Sequence, residues 1–241
     1  MITASNLSKN YGDFLAVDDL SFSVREGEIV GLLGPNGAGK TTTLRMLAGI
    51  HPPTRGHVEI AGISILNEPV AAKQQLAFMP DEPRLFDYLT VDEHLQFTAR
   101  LYNVVDWKAA ASTLLDELEL SDKRSALPSE LSRGMKQKLM IACGLLHSPR
   151  VLIFDEPLTG LDPLGIRKMK ATIRQRAESG ASVVLSSHLL PLVEELCDSI
   201  LVISRGKKLA SGSIAQIKAM SRSGSDASLE DLFLEITAAA Q

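Results

Sequence analysis

One eight-residue stretch restricts the folds open to this chain more than any other: Gly34-Pro35-Asn36-Gly37-Ala38-Gly39-Lys40-Thr41. It has the spacing glycine, four residues, glycine, lysine, threonine, and its flanks supply the context that spacing needs. Ile29 to Leu33 is an apolar run ending at glycine, which predicts a buried strand. Thr42, Leu44, Met46, Leu47 and Ala48 continue as a helix to about Ile50, stopped by Pro52-Pro53. A strand, a glycine-rich turn and a helix start together make an anion receptor. The glycines let backbone N–H groups turn inward, and the helix N-terminus adds partial positive charge. Lys40 supplies a full charge for outer phosphates and Thr41 a hydroxyl ligand for Mg²⁺. The expected site is therefore one for a nucleoside triphosphate, built from Gly34, Pro35, Asn36, Gly37, Ala38, Gly39, Lys40, Thr41 and Thr42. A glycine-rich turn with a merely solvated lysine is the bland alternative, and the flanking strand and helix weigh against it.

The remainder predicts an α/β fold in which such a phosphate-loop (P-loop) nucleoside triphosphatase (NTPase) sheet core carries an inserted helical subdomain and an antiparallel β portion near the N-terminus. Thr3 to Leu7 and Leu20 to Val24 read as early strands, with Tyr11 in a loop between them, where packing is its plain role. His57 to Ile60 and Leu76 to Met79 are short strands. From about 84 to 147 almost everything has helical period. Thr90-Val91-Asp92-Glu93 is a capping box, a second helix runs from Trp107 to Leu120, and a third starts near Ser132. Val151 to Phe154, apolar on both faces, has the pattern of a central parallel strand. A helix over Leu164 to Glu178, a strand over Ser182 to Leu185 and a hairpin over Ile200 to Ala210 follow. A short linker at residues 221–225 leads to a last helix from Ser228, so the expected division is a domain over 1–220 and a tail over 221–241.

At 241 residues and 45% apolar content the chain can bury a full core, and its net charge of −4 argues against nucleic acid as the main partner. The basic run Arg167 to Arg176 reads as a solvated helix face. Cys143 and Cys197 read as small buried hydrophobes in a reducing compartment. The N-terminal residues do not have the pattern of a signal peptide, no apolar run reaches membrane-spanning length, and the histidines lack metal-ligand spacing.

Four expected strands end at polar groups: the phosphate loop after Leu33, Asp81-Glu82 after Met79, Asp155-Glu156 after Phe154, and His188 after Leu185. In open parallel sheets ligands bind at the carboxyl ends of the strands, so these groups should converge. Asp155 would hold Mg²⁺ with Thr41, and Glu156, one residue on, is the candidate general base for an attacking water. Alone, two acids after a strand are an ordinary turn, and His188 alone is weak evidence for contact with a terminal phosphate.

These residues resemble the ATP-binding subunits of ABC transporters over nearly the whole chain. Leu131-Ser132-Arg133-Gly134-Met135 is similar to that family's signature loop, which contacts ATP across a dimer. Leu161-Asp162 resembles the dimer-contacting loop, Ser186-Ser187-His188 the switch histidine, and Tyr11 the aromatic that stacks on adenine. The resemblance implies an ATPase (Glu156 and His188 catalytic) that works with ATP and Mg²⁺. It also implies a homodimer or heterodimer of ATP-binding subunits that drives a separate integral membrane permease from the cytoplasmic face of the cell membrane. Two departures stand out. The common signature is Leu-Ser-Gly-Gly-Gln, against Arg133 and Met135 here, and Asp81 replaces the usual glutamine, which leaves its metal contact open. Both, with the closing Leu229-Glu230-Asp231-Leu232-Phe233, resemble the exporter branch. The alternative is a non-transport ABC ATPase acting on ribosomes or DNA, relatives of which resemble tandem cassettes or carry long coiled-coil insertions.

Overall fold

The computed structural model describes residues 1–219 and 228–238. The chain opens with β1 (Ile2–Tyr11), β2 (Phe14–Val24) and β3 (Ile29–Leu33), the last running through the glycine-rich loop into α1 (Lys40–Leu47). β4 (Arg55–Ile60), β5 (Ile63–Ser64), α2 (Pro69–Gln74) and β6 (Leu76–Met79) follow. Three helices come next, α3 (Val91–Leu101), α4 (Trp107–Glu117) and α5 (Arg133–Leu145), with single 3-10 turns at Ser121–Lys123 and Pro128–Glu130 before α5. The chain then alternates through β7 (Val151–Asp155), α6 (Pro163–Glu178), β8 (Ser182–Ser186), α7 (Leu190–Leu196), β9 (Ser199–Ser204) and β10 (Lys207–Ser213). α8 (Ile214–Ala219) and α9 (Leu229–Ala238) complete it; the expected linker at 221–225 lies outside the described residues.

The strands form two sheets. The six-stranded one has the order β10-β9-β3-β8-β7-β6, parallel throughout except for β10. The four-stranded one, β2-β1-β4-β5, is antiparallel. Each central strand divides its side chains between two cores with the two-residue period of a pleated strand. Ile29 and Leu33 of β3, and Leu152 and Phe154 of β7, pack with the three-helix segment, α6 and α9. Val30, Leu32, Val151 and Ile153 pack with α1 and the antiparallel sheet. That double burial explains runs in β3 and β7 with no polar alternation.

Side-chain caps fix the starts of α3, α5 and α6. Thr90 and Glu93 form the expected capping box at α3, and Ser132 Oγ accepts the Met135 N–H at the start of α5. Tyr11 is the last residue of β1, paired with Phe14, because the turn needs only Gly12 and Asp13; the expected loop position is replaced by a strand end. The basic face of α6 is laced with ion pairs rather than simply solvated: Lys168 meets Glu119, Lys170 meets Glu195, Arg174 meets Asp198 and Arg176 meets Glu117. Among the described residues no helix is long and apolar enough to cross a membrane.

Candidate nucleotide site

The parallel order β3-β8-β7-β6 lines up the carboxyl ends of four strands, and the register sets Ser186 of β8 beside both Leu32 and Asp155. An open cavity of about 970 Å³ lies there. Its walls include the loop from Pro35 to Thr42, Asp81 and Glu82 after β6, Asp155 and Glu156 after β7, and His188 after β8. The four polar endings therefore converge.

The phosphate loop is held by close backbone approaches that exclude any side chain. A Cβ on Gly34 would lie 2.4 Å from the Ile203 carbonyl oxygen. At Gly39 φ is +102°, and a Cβ there would lie 2.6 Å from the Ala16 carbonyl oxygen. Lys40 Nζ donates to the carbonyl oxygens of Gly34 at 2.6 Å and Pro35 at 3.2 Å, so the ammonium is folded over its own loop. Burial lowers its pKa, opposed by the charges of Glu156 and Asp155.

Asp155 is 6% exposed, and its Oδ1 accepts the Ser186 hydroxyl at 2.7 Å. The same hydroxyl accepts the Glu156 N–H at 3.1 Å, so one buried serine orients both acids. Glu156 has φ +53°, a left-handed conformation that for a glutamate costs about 1 kcal/mol and turns its carboxylate off the strand line. Its Oε2 lies 2.8 Å from His188 Nδ1. A carboxylate only accepts, so Nδ1 carries the proton and Nε2 stays free for a second partner. Thr41, Asp155 and Asp81 offer hard oxygen donors, and among the described residues no three His, Cys, Asp or Glu side chains gather into a ready-made cage. Such a set fits Mg²⁺ that brings most of its shell as water and phosphate oxygen.

Some expected residues sit outside these walls. Tyr11 touches His51 edge-on, centroids 6.0 Å apart, and it is His51 and Phe14 that line the cavity. Gly34 supports the loop from behind. Leu131 is buried in the core, whereas Ser132 and Arg133 are exposed at the start of α5. Asp162 caps α6, its Oδ1 accepting the Gly165 N–H at 2.8 Å. Sequence reasoning missed Phe14, Arg45, Arg84 and Thr159 on the cavity walls. Arg45 alone had a signal, a cation one helical turn beyond Lys40 and Thr41.

Comparison with known proteins decides the family. The family model described as ABC transporter matches residues 17–159. The ABC-type transporter ATP-binding protein EcsA of Bacillus subtilis is 34% identical over 239 residues, 98% of this chain and 96% of that protein. This chain belongs to the ABC transporter family. It is an ATP-binding subunit of that family and an ATPase. The probable multidrug ABC transporter ATP-binding protein YbhF of Escherichia coli is 36% identical over 240 residues, covering 98% of this chain but only 41% of that longer protein. A solved structure titled as the ATP binding subunit of an ABC transporter superimposes with TM-score 0.94 at 35% identity, over 98% of this chain and 99% of that one. In this ABC subunit two of the residues that depart from the common pattern, Asp81 and Arg133, are not separate: the guanidinium lies 3.6 Å from the carboxylate.

Proposed function

We propose that this subunit is the motor of an exporter whose permease is a separate polypeptide. Two cassettes, each spanning 1–220 with its helical subdomain at 84–147, close around two ATP·Mg²⁺ at the cytoplasmic face of the membrane. The carrying observation is the convergence of the phosphate loop, Asp155 and the Glu156–His188 pair on one cavity.

The backbone N–H groups of the loop and Lys40 bind the phosphates. Thr41 and Asp155 would hold Mg²⁺, which neutralises phosphate charge when bound, with Asp81 at the edge of the same wall. Glu156 takes the proton of the attacking water, its left-handed backbone and the His188 N–H aiming the carboxylate. With Nδ1–H given to Glu156, His188 meets the terminal phosphate as the imidazolium, whose Nε2–H donates to a phosphate oxygen, and Tyr11 or Phe14 would face the base. Ser132 to Met135 and Asp162 of one copy face the other copy's nucleotide, so binding energy is realised as interface formation and the output is a conformational change.

The surface offered to a permease is the segment after β6. Phe86 is 56% and Tyr88 92% exposed there. Buried His94 pins the segment to α3: Nε2 accepts the Phe86 N–H at 2.9 Å, and Nδ1 donates to the Thr90 carbonyl at 2.8 Å. Exposed apolar side chains on a pinned loop suit a docking helix. The test is twofold. ATPase rate should rise with the square of dilute protein concentration, and capture from detergent extract should bring down a polytopic membrane protein. A rate linear in protein would refute dimer closure, and ribosomal proteins in the capture would refute the transport reading.

A further inference from the structure

Arg133 is the first residue of α5, and the first turn of that helix carries no acidic residue. A cation at a helix N-terminus stands against the helix dipole, so the position is unfavourable unless an anion answers it. The anion is Asp81, on the loop after β6, 3.6 Å from the guanidinium. Asp81 also lines the nucleotide cavity, where a carboxylate repels a triphosphate. The Arg133 side chain lies in addition against the loop that leads into α6: a Cβ on Gly160 would be 3.3 Å from its Cδ and Nε. Three segments distant in sequence thus meet on one side chain.

We propose that Arg133 has a role within its own chain: it is the counter-ion that lets an acid occupy the edge of the nucleotide cavity, and through Asp81 it is a positioning residue for the triphosphate bound by the same copy. This rests on the nucleotide-site reading but not on dimer closure. The pairing explains why this chain carries both departures: the acid at 81 brings a charge that glutamine would not, and the arginine at 133 neutralises it. It also ties the start of α5, the loop offered to a second copy, to the contents of its own cavity.

The experiment is equilibrium binding of a fluorescent ATP analogue to monomeric protein at dilute concentration with EDTA present, so that neither a second copy nor a metal contributes. Arg133→Ala should weaken binding about threefold, as expected for removal of one exposed ion pair beside a charged ligand. Arg133→Lys should restore most of the loss, and added salt should shrink the difference between variants. In the Asp81→Asn background Arg133→Ala should have no effect, because the acid it neutralises is gone; this double-mutant cycle separates the pair from any general loosening of α5. Two results overturn the proposal: unchanged monomer binding in Arg133→Ala, or an equal loss with Asn at 81. If that variant instead binds as wild type and fails only in concentration-dependent hydrolysis, Arg133 acts solely across the dimer, and the motor reading stands without this inference.

Discussion

Ser186→Ala tests the claim that one buried hydroxyl aligns both acids of the site. Ser186 is 0% exposed and its hydroxyl donates to Asp155 Oδ1 at 2.7 Å while accepting the Glu156 N–H at 3.1 Å. The Glu156 N–H keeps the Ser186 carbonyl at 3.2 Å, so only the carboxylate loses its partner outright. A hydrogen bond to a charged group contributes about 1.5–3 kcal/mol, and deleting one oxygen leaves little cavity, so a loss of about 2 kcal/mol is expected. Urea unfolding should show it as a midpoint lowered by about 0.5–1 M at unchanged slope. Turnover should fall by about tenfold, the equivalent of roughly 1.4 kcal/mol of lost alignment, because the Asp155 carboxylate can then turn away from the reacting phosphate and the Glu156 backbone is held by one hydrogen bond fewer. Metal-free ATP binding, governed by the loop amides and Lys40, should hold. A variant as stable and as active as wild type would refute the reasoning.

Glu156→Gln should bind ATP normally and lose about 10²- to 10⁴-fold in turnover, since the amide oxygen can still accept from His188 but cannot take a proton; hydrolysis at the wild-type rate would remove Glu156 as the base. Gly39→Ala should abolish nucleotide binding and lower stability by about 2 kcal/mol or more, since its methyl would meet the Ala16 carbonyl at 2.6 Å in a left-handed backbone; isothermal titration calorimetry and a melting curve read both effects. Burial pushes the Cys143 thiol up to about 11 and that of Cys197 up to about 12. In the folded protein both should therefore resist a thiol-specific reagent at pH 8, far below the pH at which thiolate forms. In denaturing urea they should react at once, which mass spectrometry of timed samples records.

The elements that could be read in advance are those whose pattern is dictated by burial. β3 and β7 are apolar on both faces because the two cores claim alternate residues. α3 announces itself through Thr90 and Glu93. What escaped were the two-residue strand β5, the 3-10 turns, and α2, α7 and α8, of six, seven and six residues. Helices so short are held by tertiary packing rather than propensity, and Pro69 and Pro191 near the starts of α2 and α7 read as breakers in sequence. The same division holds in the candidate site. Strand-end acids are visible because parallel strands carry their ends to one edge. Phe14, Arg84 and Thr159 have no such rule: Phe14 reaches the cavity from the first residue of β2, beside the turn after β1, and Arg84 and Thr159 reach it from a loop and a turn whose paths the sequence does not specify.

The charge arrangement around the cavity explains why the backbone must carry so much of the binding. Lys40, Arg45 and Arg84 face Asp81, Glu82, Asp155 and Glu156, so the side chains present no positive excess to a triphosphate. Lys40 itself is in part engaged by its own loop carbonyls, and burial works against its charge. What remains is the set of amide N–H groups at the start of α1, which do not titrate and whose orientation is fixed by close approaches at Gly34 and Gly39. The acids are then tolerable only where each has its own answer: Asp155 the Ser186 hydroxyl, Glu156 the His188 N–H, Asp81 the Arg133 guanidinium. A site so balanced favours anion binding through geometry rather than net charge. Removing the Arg133 guanidinium, the answering group with a fixed positive charge, therefore exposes the phosphates to a repulsion from Asp81 that the rest of the cavity has no surplus cation to absorb.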